Sequence, residues 1–166
     1  MPPNSPDVDP FRDDAQPELA AVRGGEDLDW DRIESHLRAN LPGELTIDGA
    51  FEVLQFPNGA ANLTYMIRFG ELELVLRRPP FGTLAPGAHD RKREYKVLSR
   101  LWSHFDRAPR AFLFCDAAEV AGADFFVMER CRGEVIRGVM PESMREHDDV
   151  GRRVGTALVE AIADFH

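Results

Sequence analysis

Short alternating runs of apolar residues occupy the middle of the chain and predict β-strands. The segment Leu72–Arg77 alternates most clearly, because its three leucines point one way while Glu73, Val75 and Arg77 point the other. Leu63–Phe69 is rich in β-forming residues and predicts a second strand. Three further short strands are predicted at residues 51–56, 112–115 and 125–130.

Helical periodicity flanks and interrupts these strands. One helix is predicted to begin at a cap formed by Asp27 or Asp29 and to end near Asn40. A second is predicted over about residues 90–104, and a final helix after a cap at Asp148 or Asp149. Tight turns between the first three strands imply antiparallel pairing. The sequence therefore predicts an α+β fold with a five-stranded antiparallel sheet and one helix inserted between the third and fourth strands.

Charge is concentrated at the amino end of the 166 residues. The net charge is -9, and residues 1–31 carry nine acids against two arginines, so the remainder is nearly neutral. A neutral body excludes the basic footprint expected of nucleic-acid binding. No apolar run is long enough to span a bilayer, and the acidic, proline-rich start does not read as a signal peptide. We therefore expect a cytoplasmic protein with no nucleic-acid or membrane partner, and buried free thiols at Cys115 and Cys131.

A pair of opposite charges is the main candidate for chemistry. Arg77 ends its strand on the face of Val75, so a planar base under Val75 could extend its phosphates to the forked donors of Arg77. Glu94 falls on the apolar face of the predicted helix at 90–104, where a buried carboxylate needs a partner, and Arg77 is a natural one. Two alternatives stay open: Arg77 and Arg78 as a solvated strand end, and Glu94 as a rim residue paired within its helix.

The turn between the first two strands is small enough for its backbone N–H groups to approach phosphate oxygens. It contains Asn58, Gly59 and Asn62. An ordinary hairpin turn explains the same residues, because Asn-Gly is a strong hairpin signal and only one glycine is present. The turn supports a phosphate site only together with Arg77 and Glu94.

Three stretches in this order resemble the N-terminal lobe of the aminoglycoside phosphotransferase family, which has a protein-kinase-like fold. They are FPNGAANLTYMIR from Phe56, LVLRRPPFGTLAPGAHDRKREY from Leu74 and FFVMERCRGEVI from Phe125. The resemblance is strongest to the phosphotransferases associated with acyl-CoA dehydrogenases. It implies a nucleotide site in which Met128 gates the adenine pocket and Glu129 and Cys131 offer backbone groups to the base. Together with the residues argued above, the complete predicted nucleotide-binding set is Asn58, Gly59, Asn62, Val75, Arg77, Glu94, Met128, Glu129 and Cys131.

The resemblance also implies which parts to expect elsewhere. Such enzymes place a catalytic base in an H-x-D-x-x-x-x-N loop and bind Mg²⁺ in a C-terminal lobe. His147-Asp148-Asp149 satisfies only the first part, because Val154 stands at the asparagine position, and the segment begins a helix. Asp164-Phe165-His166 lacks the glycine of a D-F-G motif. We therefore assign no catalytic residue and no metal ligand to this chain.

The resulting hypothesis is an ATP-dependent small-molecule kinase, present as a nucleotide-binding N-terminal part that does not transfer phosphate alone. Its predicted organisation is a disordered acidic tail at 1–27, a helix at 28–45, the kinase-like lobe at 50–133, and a linker leading into a truncated C-terminal lobe at 134–166. The expected cofactors are ATP and Mg²⁺. The expected acceptor is a small hydroxyl-bearing molecule, with a hydroxyacyl thioester as the candidate in the nearest branch. The alternative is a non-catalytic nucleotide-binding or protein-interaction module.

Overall fold

The fold is described from a computed structural model, which places residues 19–57, 62–82, 91–133, 136 and 140–166. The described chain divides into two compact units. One comprises Pro17–Cys131, and the other includes Arg132–His166. No helix among the described residues is long and apolar enough to cross a membrane.

Helix α1 spans Trp30–Asn40 and begins where the sequence predicts. The side chain of Asp29 caps it by accepting a hydrogen bond from the Arg32 amide at 3.1 Å. Ile33 and Leu37, one helical turn apart, are fully buried. This pair anchors α1 to the hydrophobic core, as the helical spacing of its apolar residues predicts.

Five strands form one antiparallel sheet in the spatial order β1-β2-β3-β5-β4. Their bounds are β1 at Phe51–Gln55, β2 at Leu63–Phe69, β3 at Leu72–Arg78, β4 at Ala111–Cys115 and β5 at Phe125–Glu129. Gly70 forms the tight turn between β2 and β3 with a φ of 56°, and a Cβ there would lie 3.2 Å from the Asp48 carbonyl oxygen. The α+β fold with a five-stranded antiparallel sheet is confirmed.

Helix α2 spans Arg91–Leu101 and lies in sequence between β3 and β4, as predicted. A short helix, α3 at Ala118–Ala121, was not predicted from the sequence. Four residues are too few to display a helical period, so this alanine-rich stretch gave no helical signal. Gly122 ends α3 in a left-handed conformation and leads into β5.

The two faces of β3 differ in their surroundings. Leu74 and Leu76 belong to the hydrophobic core together with residues of α1. Val75 pairs in register with Met66 on one side and Met128 on the other, and it lies outside that core cluster. The predicted alternation along this strand is therefore confirmed.

Residues 19–27, which the sequence analysis assigned to the acidic tail, make contacts with β1. Ala20 forms an isolated antiparallel bridge with Gln55, with backbone hydrogen bonds of 2.9 and 2.8 Å. The buried Gln55 side chain accepts from the Arg23 amide at 2.8 Å and donates to Glu26. These contacts satisfy backbone groups at the outer edge of β1. The hydrophilic composition of residues 19–27 gave no sign of this pairing.

In the unit that includes Arg132–His166, the described residues form two helices, α4 at Glu142–Arg145 and α5 at Val150–Phe165. Asp149 precedes α5 as predicted, but its side chain makes no capping hydrogen bond. Asp149 has a positive φ of 66° and pairs instead with Arg152 at 2.5 Å. Asp149 therefore occupies the predicted N-cap position, but its carboxylate pairs with an arginine of the first turn instead of capping the helix.

Candidate nucleotide site

A cavity of about 200 Å³ opens beside the outward face of β3. Its lining is Phe56, Thr64, Val75, Pro109, Met128, Glu129 and Cys131. Four of these were predicted from the sequence as nucleotide contacts. The antiparallel register explains why they meet: Val75 lies directly opposite Met128, and the chain leaves β5 through Glu129 toward Cys131. A largely apolar slot next to a freed strand end has the shape and chemistry to hold a planar heterocycle.

The strand exit supplies polar backbone groups at the mouth of this cavity. The Glu129 amide donates to the Arg110 carbonyl oxygen at 2.8 Å, so its N–H is already engaged. A base at this edge would therefore meet the carbonyl of Glu129 rather than its amide. Cys131 is exposed, not buried as predicted, because the chain has left the sheet by that point.

The Cys131 thiol lines the cavity but is not activated. Partial burial, with a further contribution from the Glu129 carboxylate, raises the pKa of the Cys131 thiol. A raised thiol pKa keeps the sulfur protonated near neutral pH, and a protonated thiol is a poor nucleophile. Both Cys131 and the buried Cys115 are free cysteines.

Two positions along β3 from Val75, Arg77 forms an ion pair with Glu94 of α2. The pair joins Nη1 of Arg77 to Oε1 of Glu94, and each side chain retains 26% of its accessible surface. The contact predicted from the sequence is confirmed, and the solvated-strand-end alternative is wrong for Arg77. Successive residues on one strand face are about 7 Å apart, so Arg77 lies about 7 Å along β3 from the cavity wall at Val75. This separation is on the scale of a nucleotide's phosphates.

Glu94 also lies near a second arginine. Pairing with Arg77 and pairing within its own helix, the two interpretations left open for Glu94, are therefore both partly right. Nε of Arg91 is 3.5 Å from Oε2 of Glu94, a neighbour within the same helix. Nη1 of Arg91 donates to Oδ1 of Asn62, immediately before β2. A continuous chain of side chains therefore runs from Asn62 through Arg91 and Glu94 to Arg77. Its members come from the turn after β1, from α2 and from β3.

The opposite stem of the same turn is held by the segment before α1. The guanidinium of Arg23 is 3.5 Å from the Pro57 carbonyl oxygen and 2.9 Å from Oε2 of Glu26. The amide of Phe56 donates to the Thr64 carbonyl oxygen at 3.0 Å, which closes the hairpin below the turn. Asn58 and Gly59, predicted as phosphate-covering residues, lie outside the described residues.

Sequence reasoning missed four residues of the site: Phe56, Thr64, Pro109 and Arg91. Phe56 and Thr64 flank the predicted turn, so pairing the two strands across Asn58-Gly59 would have found them. Pro109 precedes β4 and carries no periodic signal. Arg91 was hidden among the charges of HDRKREY, where nothing marks one cation as buried.

The described residues contain no group of three or more His, Cys, Asp or Glu that could hold a metal ion. Glu94, the acid nearest to Arg77, is already shared between two guanidinium groups. These side chains suit a phosphate, whose oxygens accept from guanidinium donors, better than they suit a bare cation.

Comparison with known proteins agrees with this geometry. The family model for the phosphotransferase enzyme family matches residues 52–166. A solved structure of a candidate aminoglycoside phosphotransferase from Ralstonia eutropha superimposes with a TM-score of 0.53 and 26% identity, covering 66% of this chain and 30% of that one. All of the residues in the cavity lining fall within the matched family range.

Curated relatives are similar over most of this chain. Acyl-CoA dehydrogenase family member 11 of Gallus gallus is 32% identical over 152 residues, which are 91% of this chain. Acyl-CoA dehydrogenase family member 10 of Mus musculus is 34% identical over 121 residues, which are 73% of this chain. The matched regions are 19% and 11% of those two proteins, so the chain corresponds to a small part of each.

Proposed function

This chain belongs to the phosphotransferase enzyme family, and we propose that within it the chain binds ATP as the N-terminal lobe of a small-molecule kinase. The adenine would lie in the cavity between Val75 and Met128, with Glu129 and Cys131 at its edge. The phosphates would extend along β3 toward Arg77, under the turn that contains Asn58, Gly59 and Asn62. Membership of the family and the α+β kinase-like fold are the premises of this proposal.

One observation carries the proposal: the apolar cavity and the Arg77–Glu94 pair lie on the same face of one strand. The cavity wall at Val75 and the guanidinium at Arg77 are two residues apart. A nucleotide needs this combination, because its base is planar and largely apolar while its phosphates are anionic. Glu94 fixes the height and orientation of the guanidinium, which is the role of the helix glutamate in protein kinases.

Phosphate transfer itself requires parts that these residues do not supply. A base to accept the hydroxyl proton and ligands for Mg²⁺ would come from a C-terminal lobe, and the bound metal would neutralise charge on the transferred phosphoryl group. We propose a hydroxyacyl thioester as the first acceptor to test, because the relatives are named as acyl-CoA dehydrogenase family members. The 166 residues alone should bind nucleotide without transferring phosphate.

The test is isothermal calorimetry and thermal unfolding of the 166-residue chain with ATP and, separately, with adenosine. The parent should bind both, and Arg77→Ala should lose at least about tenfold in ATP affinity while adenosine binding changes little. Arg100→Ala is the matched control, since Arg100 is an exposed arginine at the far end of α2. Equal ATP binding by the parent and Arg77→Ala would remove the phosphate role of Arg77.

A second candidate function, a protein-interaction module, is favoured by the surface of α5. Leu158, Val159, Ile162 and Phe165 are each more than half exposed on this helix. Contiguous exposed apolar residues drive association. Sedimentation equilibrium of the chain would distinguish the candidates: a concentration-dependent oligomer without nucleotide affinity supports the interaction module, whereas a nucleotide-binding monomer supports the kinase lobe.

A further inference from the structure

Arg91 has a place in the candidate site that neither the sequence pattern nor the family resemblance assigned. It is the first residue of α2, and only 5% of its surface is accessible. We propose that Arg91 is a positioning residue for nucleotide phosphates, holding the end of the turn at Asn62 in register with the Arg77–Glu94 pair. This inference rests on the proposed function, because it concerns how that same site is built.

The contacts of Arg91 reach both sides of the site. One guanidinium nitrogen, Nη1, donates to Oδ1 of Asn62. Another, Nε, lies 3.5 Å from Oε2 of Glu94, while the other oxygen of that carboxylate takes Nη1 of Arg77. A single planar guanidinium therefore sets the distance between the turn and the acid that orients Arg77.

Burial makes this arrangement rigid. A charged group removed from water is costly unless it is paired and hydrogen-bonded, so displacement of Arg91 from Asn62 and Glu94 is penalised. The guanidinium is a flat fork of donors with fixed mutual geometry, which suits a hydrogen bond to Asn62 and an ion pair with Glu94 at the same time. A lysine ammonium is a compact point donor on a flexible stem and would not reproduce both contacts at once.

Arg91 acts through its neighbours, because a side chain with 5% of its surface accessible offers almost no area to a ligand. Asn62 is the last residue of the turn before β2, and Glu94 orients Arg77. Pre-ordering both groups lowers the conformational entropy lost when phosphates bind between them. The adenine cavity is lined by other residues, so its affinity for a base should not depend on Arg91.

The test measures binding of ATP and of adenosine to the 166-residue chain carrying Arg91→Ala, Arg91→Lys or Asn62→Ala, with Arg100→Ala as control. Each Arg91 variant should weaken ATP binding about tenfold and leave adenosine binding within about twofold. Asn62→Ala should weaken ATP binding in the same direction and should add less than its full effect in the Arg91→Ala background, because the two side chains act as one unit.

Three results would overturn the inference. Equal weakening of ATP and adenosine would mean that Arg91 is only structural. Unchanged ATP binding in Asn62→Ala, which still tests the contact if the Arg91 variants do not fold, would mean that the turn is not held through it. Additive losses would mean that the two side chains act independently. Failure of the parent to bind ATP would instead remove the proposed function, and this inference with it.

Discussion

Arg77 and Arg78 are neighbours on β3, yet they lie in opposite environments. Arg77 keeps 26% of its side-chain surface accessible and pairs with Glu94. Arg78 is 2% accessible on the core face, where its guanidinium stacks 4.1 Å from the centre of the Phe81 ring. Among the described residues, Nε and Nη1 of Arg78 have no hydrogen-bond partner.

The contrast shows that the face of β3 on which an arginine lies, and not the residue type, decides which groups its guanidinium contacts. Successive strand side chains face opposite sides of the sheet. On one side, α2 provides a carboxylate and a cavity opens beside it. On the other side, the guanidinium of Arg78 contacts the Phe81 ring. We therefore expect the same kind of substitution to change stability and nucleotide affinity differently on the two faces.

The largest difference should appear between neighbouring aliphatic residues. Leu76 is fully buried in the core, so Leu76→Ala should lower the free energy of unfolding by about 2–5 kcal/mol. Val75→Ala should cost less, because Val75 borders the cavity and loses fewer packed neighbours. Urea denaturation measures both. Nucleotide affinity per folded molecule should fall only for Val75→Ala, and equal losses of stability would contradict a functional difference between the faces.

The core face should also respond to alkaline pH through Tyr65. Burial raises the pKa of Tyr65 to about 12, and its hydroxyl donates to the Glu26 carbonyl oxygen at 2.7 Å. The unfolded phenol titrates near 10, so this stabilisation is complete below pH 10 and is lost between pH 10 and 12. A two-unit shift corresponds to about 2–3 kcal/mol.

Comparing the parent with Tyr65→Phe at pH 9 and pH 11.5 isolates this effect, because all other groups titrate equally in the two proteins. The parent should lose more stability over the interval than the variant does. Absorbance at 295 nm should show one phenol fewer in the late titration of the variant. Parallel stability curves would mean that Tyr65 ionises at its ordinary pKa.

On the outward face, Glu94→Gln should lower the free energy of unfolding by about 1–2 kcal/mol. The substitution leaves the guanidinium groups of Arg77 and the buried Arg91 without their carboxylate, and the partial exposure of Arg77 and Glu94 limits the cost. The matched control is Glu52→Gln, which breaks the exposed pair with Arg68 and should cost less stability than Glu94→Gln does. Equal small effects would mean that the Arg77–Glu94 pair is effectively solvated.

The alternation of β3 and the tight turns beside it were enough to predict the sheet, because a period of two and a Gly-Glu turn are local properties. Val75 was predicted from the alternation of β3, and Met128, Glu129 and Cys131 from the family resemblance; the structure places all four around one cavity. Their roles in nucleotide binding stay predictions.

Non-local partners were less predictable. Arg91 is one of five cations between residues 91 and 100, and only the three-dimensional position of Asn62 distinguishes it. The bridge from Ala20 to Gln55 likewise joins residues 35 positions apart through backbone groups, which carry no side-chain pattern. For the same reason, the sequence suggested a solvated strand end as one alternative for Arg78.

The smallest effect is expected from removing the charge of Arg78, the least accessible charged side chain among the described residues. Burial lowers the pKa of Arg78, and the electrostatic influence of Tyr65 and Asp124 offsets this only in part. Replacing a buried charge by an apolar residue of similar length is often neutral or stabilising, so Arg78→Met should change the free energy of unfolding by less than about 1 kcal/mol. Chemical denaturation beside Arg78→Ala separates charge from volume, because the alanine variant also leaves a cavity and should cost about 2 kcal/mol or more.

A loss above about 2 kcal/mol in Arg78→Met would show instead that the charge itself stabilises the core face. Arg77→Met provides the complementary reading, since it should reduce ATP affinity while Arg78→Met leaves ATP affinity unchanged. A loss of ATP affinity in Arg77→Met with unchanged ATP affinity in Arg78→Met would establish that β3 separates the core from the nucleotide site within a single pair of residues.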